Sequence, residues 1–583
     1  MAGTGGGSYH RESCCRGGAG GILAAPWNRS ADAEILLALP SHRDVPWIGL
    51  AALAALCLIL SGYRLGGPGF WTDESIYAQT AREMASGGDW ITPALCGKPY
   101  LIKPVLYHWL ASVSFHLFGV NELAGRLPQA LAGVFGVLVA ALFAGRLFGK
   151  RVGFLAGAAL AVSPGYAMGS RVAGMDVLLT AGITLSLGSF FLGYREPERR
   201  RFWWLVSGAG AGIAALAKGP VGVAVPALVA LVFLIRRREI RLAISRPALL
   251  GVTAGLLVAS VWYLPVWGVN GERFTRVFWL ENNLARISGP VSDHAGPITY
   301  YVPVFLLAFL PWSFPFVLIA VRSLARILRR APGAADPEAQ FLWSWFLAPF
   351  LFYSLIPTKL PGYLLPVFPA AAILIAREWG RQRAAPGGRP DLGFRIACAL
   401  GAVSLPGVAL AVPFLLQYRY GIPPGRIAMF PAVTFLFAAA AALSALTVRG
   451  KLRNGWWVVA GGVFVLGLVR FAILPAEPYE SMREMTGRLL ALRGAGQSVA
   501  LAGAHLRGTL FYTGCSVPHP RDINDLPRPG PGSPLFCLVK QRFRPELEAW
   551  ASRGRFALRD RERRGPLSLV EVSAPPAATR PAP

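Results

Sequence analysis

Long apolar runs alternate with short polar connections along most of the chain. Between Pro46 and Pro475 the runs are about 17–25 residues long, enough for a helix to cross a hydrocarbon core of roughly 30 Å. The pattern predicts an all-α polytopic membrane protein with about thirteen transmembrane helices. Their approximate positions are 46–63, 126–145, 152–168, 177–194, 203–217, 220–235, 248–268, 298–320, 341–356, 363–376, 394–416, 428–447 and 456–474.

The two ends of the chain depart from this pattern. Residues 1–43 are rich in Gly, Ala and Arg, and we expect a disordered cytoplasmic tail there, ahead of a transmembrane domain at 44–475. The segment 476–573 predicts a small extracytoplasmic α/β domain, and the Pro/Ala-rich residues 574–583 predict a second disordered tail. Within that domain we expect helices at 481–492 and 544–551 and strands at 498–501 and 535–539.

Composition supports the membrane class and excludes a nucleic-acid-binding protein. Hydrophobic residues make up 54% of the chain and charged residues 15%, whereas a soluble domain carries about a quarter charged residues. The net charge is +28. Its basic residues lie in short clusters between apolar runs, not on one soluble face.

The basic clusters also predict the orientation of the chain. They occupy every second connection, and positive residues hold such loops in the cytoplasm. We therefore place the N-terminus inside, and we place the loops 64–125, 169–176, 269–297 and 357–362 and the C-terminal domain outside. The clusters are Arg146/Lys150/Arg151, Arg195 with 199–201, 236–238 with Arg241, Arg322/Arg326/Arg329/Arg330, Arg377/Arg381/Arg383 and Arg449/Lys451/Arg453.

Carboxylates are scarce, at 30 Asp plus Glu, so their positions are informative. Asp73 and Glu74 lie in the segment WTDESIY (71–77), just after the first span and facing outward. Two interpretations are open and compatible: Thr72 or Asp73 caps a helix over 74–86, or the acidic pair forms a functional site.

A second acid, Asp176, lies between two apolar runs. Acids at membrane depth are costly and indicate a functional site by default. The alternative is that Asp176 caps the following helix and pairs with Arg171.

Three lysines lie at the outer ends of spans, against the usual inside bias: Lys103, Lys218 and Lys359. Each alone is explained by snorkelling to the interface. Together with Arg286 they suggest an anion held near the outer leaflet, such as a phosphate or pyrophosphate.

Cysteine and histidine spacing does not predict a metal site. None of the seven cysteines forms a CxxC pair, and His108, His116 and His294 lack paired spacing. Cys515 and Cys537 could form a disulfide if the C-terminal domain is extracytoplasmic. No Walker loop or dinucleotide fingerprint is present in the sequence, so we expect no cofactor, although a divalent cation is not excluded.

The segment WTDESIYAQTAREMASGGDWITPALCGKPYLIKPVLYHWLASVSFHLFG (71–119) resembles the first outer loop of the lipid A aminoarabinose transferases. It also resembles the wider GT-C-type membrane glycosyltransferases, which include protein mannosyltransferases. The similarity covers roughly residues 45–375. Further matches are RLP (126–128), RVAGMD (171–176), AKGP (217–220), NLAR (283–286), DH (293–294) with YYVP (300–303), PWS (311–313) and TKLPGYLLP (358–366).

This resemblance implies a GT-C-like fold and a polyprenyl-phosphate-linked sugar donor used at the outer face of the bacterial inner membrane. It implies that Asp73 is the catalytic carboxylate and Asp176 a second acid in the same cavity. Lys103 would contact the donor phosphate. The predicted substrate-binding residues are Glu74, Lys103, Arg286, Lys359 and Tyr363.

The sequence departs from the aminoarabinose transferases at Ile102, where they commonly have Glu, so the sugar and the acceptor stay open. The predicted function is transfer of a sugar to a lipid (lipid A-like), glycan or protein acceptor. The alternatives are a transporter or lipid flippase, or a non-catalytic scaffold. Transporters tend to show internal repeats and broken spans in corresponding halves, and we find no such symmetry in the sequence.

Overall fold

The computed structural model describes residues 47–285, 295–328, 336–384, 390–447, 453–503, 506–520 and 522–574. The predicted tail at 1–43, nearly all of the tail at 574–583, and the site candidate Arg286 lie outside these residues.

Helices dominate the first four-fifths of the chain, and every predicted span coincides with helical structure. In chain order they are α1 Trp47–Gly62, α2 Thr72–Ala85, α3 Leu106–Phe118, α4 Glu122–Phe148, α5 Lys150–Val162, α6 Pro164–Gly169, α7 Asp176–Arg195, α8 Arg200–Lys218, α9 Val221–Arg237, α10 Arg246–Phe274, α11 Tyr301–Ala308, α12 Ser313–Leu328, α13 Pro337–Leu355, α14 Phe368–Ala384, α15 Leu392–Tyr420, α16 Met429–Thr447, α17 Arg453–Leu468 and α18 Leu474–Glu480.

Several helices have the length and composition needed to cross a membrane. Among the described residues there are five such helical stretches, together with shorter apolar helices. The helical membrane architecture is therefore confirmed, while about thirteen crossings stays a prediction. The five stretches are Glu122–Phe148, Asp176–Arg195, Arg246–Leu284, Leu392–Tyr420 and Gly455–Gly494.

Four predicted spans are not single α-helices. The span expected at 152–168 is divided between α5 and α6, and the span expected at 456–474 continues from α17 into a π-helix, Val469–Ile473. The span expected at 298–320 consists of α11 and α12, separated by a turn that contains Pro311. Proline has no backbone N–H to donate and clashes with the preceding helical turn. The span expected at 363–376 begins as a 3₁₀ helix, Pro361–Val367, and continues as α14.

The helices pack around a continuous apolar core. Helix α7 lies against α4 and α8, and α8 lies against α10. Small residues permit the close approach, since a Cβ on Gly210 of α8 would lie 2.8 Å from the backbone nitrogen of Ser186 on α7. Aromatic rings fill the wider gaps, and Phe191 stacks on Phe341 at 4.4 Å.

The C-terminal segment forms a small α/β domain, as predicted. Its sheet has four strands, in the spatial order Ser498–Ala502 (β3), Leu535–Lys540 (β4), Leu567–Ser573 (β6) and Ala557–Arg564 (β5). Strand β3 is parallel to β4, and the other pairs are antiparallel. The expected helices and strands are all present, but the last hairpin was not predicted. After the short hairpin strands β1 Ala94–Leu95 and β2 Lys98–Pro99 of the first loop, the elements are α19 Arg483–Gly494, β3 Ser498–Ala502, α20 Leu510–Thr513, β4 Leu535–Lys540, α21 Arg544–Gly554, β5 Ala557–Arg564 and β6 Leu567–Ser573.

Candidate active site

The loop between α1 and α2 is folded around one buried guanidinium. Arg126 of α4 donates from Nη1 to the carbonyls of Leu65 (2.9 Å) and Pro68 (2.6 Å). Its Nη2 donates to the carbonyl of Gly69 at 2.9 Å. Three loop carbonyls that would otherwise lack partners are therefore satisfied by a single side chain, which fixes the chain just ahead of Asp73.

Glu74 completes this arrangement. Its Oε1 accepts from Arg126 Nε at 2.8 Å and from the backbone N–H of Ala173 at 2.7 Å. Its Oε2 accepts from Arg126 Nη2 at 2.7 Å and from the N–H of Trp71 at 3.0 Å. The residue is 4% exposed. Both oxygens are engaged, so the geometry disfavours the predicted substrate contact and gives Glu74 a positioning role.

Asp73 lies beside Glu74 in the first turn of α2, but it faces solvent. The helix predicted over 74–86 is present as Thr72–Ala85. It begins two residues earlier than predicted, with Trp71 as the N-cap, so the predicted capping residue, Thr72 or Asp73, is wrong. Within the described part of the chain the Asp73 carboxylate makes no hydrogen bond or ion pair. It is exposed in the first turn of the helix, at the N-terminal end.

Asp176 begins α7 and forms an ion pair with Lys218 at the end of α8. The Lys218 Nζ also lies 4.6 Å from the ring centre of Tyr363. A Cβ on Gly362 would lie 2.8 Å from Asp176 Oδ2, so a larger residue there would displace this carboxylate. The ends of α7 and α8 and the segment 361–367 therefore meet around one acid–base pair.

The predicted pairing of Asp176 with Arg171 is wrong. Arg171 is buried and donates from Nη1 to the carbonyls of Leu60 (2.9 Å) and Ser61 (2.7 Å). Its Nη2 donates to the carbonyl of Tyr63 at 2.5 Å. Those groups lie at the end of α1, where the last carbonyls carry partial negative charge and lack helical partners.

Lys359 has a similar structural role. Its Nζ donates to the carbonyls of Tyr353 (3.1 Å), Ser354 (2.6 Å) and Ile356 (2.6 Å), at the end of α13. The residue is buried. An ammonium group has three donors, and all three are used here. The structure therefore disfavours the predicted substrate contact for Lys359.

Lys103 is half-buried between β2 and α3. Its segment lies close to the end of α8, because a Cβ on Gly219 would lie 3.8 Å from Pro104, the residue that follows Lys103. The bond from Ala173 to Glu74 ties the start of α7 to the Asp73 loop. The structure thus gathers the segments that carry Asp73, Lys103, Asp176 and Tyr363.

The predicted Cys515–Cys537 disulfide is wrong. Cys515 is bonded to Cys96 of the first loop, with the Cα atoms 5.4 Å apart. Cys537 is a free thiol on β4, and burial raises its pKa to about 12. Among the described residues, Glu83 with Cys96 and Cys515 is a cluster of metal-ligand types, but the disulfide engages both sulfurs.

Sequence comparison finds related proteins over part of the chain. Residues 102–264 match the family described as dolichyl-phosphate-mannose-protein mannosyltransferase. Over 315 residues the chain is 33% identical to the undecaprenyl phosphate-alpha-4-amino-4-deoxy-L-arabinose arabinosyl transferase of Pseudomonas aeruginosa strain UCBPP-PA14, covering 53% of this chain and 56% of that protein. It is 32% identical over 321 residues to an uncharacterized protein of Aquifex aeolicus strain VF5, covering 55% and 61%. The chain spans somewhat over half the length of these relatives.

Structural comparison extends the similarity to nearly the whole chain. The crystal structure of ArnT from Cupriavidus metallidurans bound to undecaprenyl phosphate matches with a TM-score of 0.71 and 25% identity, covering 90% of this chain and 98% of that one. The fold and the apolar helices are similar to those of multi-pass membrane proteins of the GT-C type. Within that class the chain is similar to the lipid A aminoarabinose transferases, which confirms the resemblance carried by its motifs.

Proposed function

We propose that this chain is an integral-membrane glycosyltransferase. It moves a sugar from a polyprenyl-phosphate-linked donor to a lipid (lipid A-like), glycan or protein acceptor on the outer face of the bacterial inner membrane. The observation that carries the proposal is that the segments bearing the solvent-facing Asp73, Lys103 and the Asp176–Lys218 pair beside Tyr363 are joined to one another. The structural neighbour is bound to undecaprenyl phosphate, which supports this class of donor.

Lys103, Arg286 and Tyr363 would bind the donor phosphate. Negative charge on that phosphate grows as the glycosidic bond breaks, and fixed cations in a water-poor cavity stabilise it selectively in the transition state. One well-placed donor typically contributes about 3 kcal/mol to such stabilisation. Asp176 would orient Lys218 beside the same site.

Asp73 would act on the acceptor. The bond from the anomeric carbon to the phosphate oxygen breaks, its electron pair leaves with the polyprenyl phosphate, and a bond to the acceptor oxygen forms. With a hydroxyl acceptor, Asp73 takes the proton, a role that contributes roughly 10²–10⁴-fold. With a phosphate acceptor no proton is removed, and Asp73 positions the sugar. Direct displacement inverts the anomeric carbon, which the stereochemistry of the product tests.

The proposed orientation has the N-terminus in the cytoplasm and the C-terminal domain outside, on the evidence of the basic clusters in alternate connections. This orientation puts Asp73, Lys103 and Asp176 on the outer side together. Ile102 stands where the aminoarabinose transferases commonly have Glu, so a donor without an amino group belongs in any substrate panel.

The test is sugar transfer from labelled polyprenyl-phosphate donors in membranes that contain the wild type, Asp73→Asn or Asp89→Asn. Asp89 is an exposed acid of the same loop whose Oδ1 accepts from the N–H of Ile91, so it is a matched control. We expect Asp73→Asn to lose about 100-fold or more in rate and Asp89→Asn to keep its rate. Equal transfer by all three would remove Asp73 from the mechanism. Failure of the wild type with every donor would favour the transporter alternative.

A further inference from the structure

The C-terminal domain contacts the first loop on both sides of Asp73. The backbone N–H of Phe70 donates to the Tyr512 hydroxyl at 2.5 Å. The backbone N–H of Phe511 donates to the Ser75 hydroxyl at 3.1 Å. The first hydrogen bond is made three residues before Asp73 and the second two residues after it. The adjacent residues Phe511 and Tyr512 therefore contact the chain on both sides of Asp73.

Phe511 adds apolar contact to these bonds. Its ring meets the ring of Phe70 edge-on, with centroids 4.8 Å apart. Arg82 of α2 donates from Nη1 to the Phe511 carbonyl at 3.0 Å and places its guanidinium 5.9 Å from the same ring. Phe511 is buried and belongs to the core that the membrane helices share.

A second set of polar contacts joins the C-terminal domain to the first loop and to α4. Glu477 accepts from the N–H of Gly69 at 3.0 Å. The Tyr512 hydroxyl and Arg483 Nη1 both donate to Glu122 Oε1, each at 3.2 Å. Burial raises the pKa of Tyr512, so its hydroxyl keeps the proton it donates. The first of these contacts holds the loop, and the other two seat the C-terminal domain on α4, the helix that carries Arg126.

A disulfide adds a covalent bond to these contacts between the first loop and the C-terminal domain. Cys515 follows α20 directly, and Cys96 lies in the turn between β1 and β2, 419 residues earlier. Glu83 of α2 holds that turn by accepting from the N–H of Cys96 at 2.7 Å and of Gly97 at 3.0 Å. Helix α2, the β1–β2 hairpin and the C-terminal domain are thereby joined.

We infer that the C-terminal domain is a clamp that positions Asp73, with Phe511 and Tyr512 as its positioning residues and the Cys96–Cys515 disulfide as its latch. A carboxylate on a loop needs support to hold a productive geometry, and a displacement of about 1 Å can cost 10²-fold in rate. The disulfide requires an oxidising compartment, which agrees with the proposed outer location of this domain. The catalytic consequence of the clamp rests on the proposed function.

The test is a redox cycle on the purified full-length protein. Dithiothreitol reduces the Cys96–Cys515 bond to two thiols and becomes its own cyclic disulfide, and diamide then takes the two electrons and two protons back. In each state we would measure kcat, KM for donor and acceptor, and hydrogen–deuterium exchange of residues 67–80. Cys515→Ala removes the latch, while Cys537→Ala removes a buried thiol of the same domain and serves as the matched control.

We expect reduction to lower kcat about 10- to 100-fold, to change each KM less than about twofold, and to raise exchange in 67–80. Reoxidation restores the wild type and Cys537→Ala, while Cys515→Ala stays at the reduced value throughout. Because the noncovalent contacts also hold the loop, Tyr512→Phe is measured in parallel. Its control is Tyr479→Phe, at a half-buried tyrosine of α18 whose ring lies 5.3 Å from the ring of Tyr420. In the reduced state, Tyr512→Phe should lower kcat and raise hydrogen–deuterium exchange in residues 67–80 beyond the values of the reduced wild type.

Unchanged kcat and unchanged exchange in reduced Tyr512→Phe would overturn the inference. A change confined to KM for the acceptor would overturn it too, in favour of acceptor recognition by this domain. If the wild type transfers no sugar, the proposed function fails, and exchange alone decides the clamp: a rise in 67–80 on reduction supports it and no rise overturns it.

Discussion

The pair of Glu74 and Arg126 offers a sharp test of what holds the Asp73 loop. Glu74→Gln keeps the size of the side chain and removes its charge. Each carboxylate oxygen accepts from two donors, one on Arg126 and one on the backbone. Whichever way the new amide lies, its NH₂ group faces two N–H donors that have lost their acceptor. The Arg126 charge also stays buried without its partner.

The expected cost is large for one substitution. Breaking a buried ion pair by removing one partner typically costs about 3–5 kcal/mol, because the remaining charge is left uncompensated. Glu281→Gln is the matched control, since Glu281 pairs with Arg276 at 3.1 Å while their side chains are 52% and 73% exposed. An exposed pair of this kind contributes about 0–1 kcal/mol.

The assay is denaturant unfolding in detergent micelles, followed by tryptophan fluorescence, with donor KM measured on the folded fraction. We expect Glu74→Gln to lose about 3–5 kcal/mol of unfolding free energy with little change in KM, and Glu281→Gln to lose at most about 1 kcal/mol. A Glu74→Gln protein as stable as the control, with a raised donor KM, would refute the positioning role. It would restore the substrate contact predicted from the sequence.

The double variant separates charge from shape. Arg126→Met alone leaves the Glu74 carboxylate buried and unpaired, whereas Glu74→Gln with Arg126→Met leaves no buried charge. The double variant should therefore lose less unfolding free energy than the two single variants lose in total. The difference, the interaction free energy, should be about 1–3 kcal/mol. Additive losses would mean that the two side chains act independently.

Two further outcomes follow from buried groups elsewhere. Lys359→Met should destabilise the protein by about 1–3 kcal/mol by leaving carbonyls at the end of α13 unpaired, without raising donor KM; a raised KM at unchanged melting temperature would indicate a phosphate contact. Burial lowers the pKa of His108 from 6.5 to about 4, so the unfolded chain binds more protons between these values and stability falls as pH drops from 6.5 towards 4. His108→Phe should flatten that part of the melting profile, and an equal fall in both proteins would contradict the assignment.

The helical part of the fold could be predicted because apolar runs directly report helices that lie in hydrocarbon. Strands β3 and β4 were equally visible as short apolar runs. The hairpin of β5 and β6 was missed because β5 has the sequence ALRDRERR and lies at the edge of the sheet, mostly exposed. A strand with so little buried surface has no apolar alternation to detect.

The residue types of the site could be predicted, but their partners could not. Lys218 lies 42 residues from Asp176, and Cys515 lies 419 residues from Cys96. Helix packing sets such pairings, and local spacing does not encode them. Sequence reasoning also missed the role of Arg126. A signal was present, because Arg126 is a cation at the outer end of a span, outside the basic clusters that set the orientation.

The lysines and arginines at the predicted outer ends of the spans fall into two groups, according to the atoms that they contact. Arg126, Arg171 and Lys359 are buried, and each donates to backbone carbonyls at the end of a helix or in the loop that follows it. Such cations are part of the helix ends and carry no topological signal, so they do not weigh against the orientation predicted from the exposed clusters. Lys359 is engaged by carbonyls at the end of α13, and Lys218 is engaged by Asp176. We expect substitution of Lys103 or Arg286, the phosphate contacts that the family resemblance implies, to raise donor KM without destabilising the loop around Arg126.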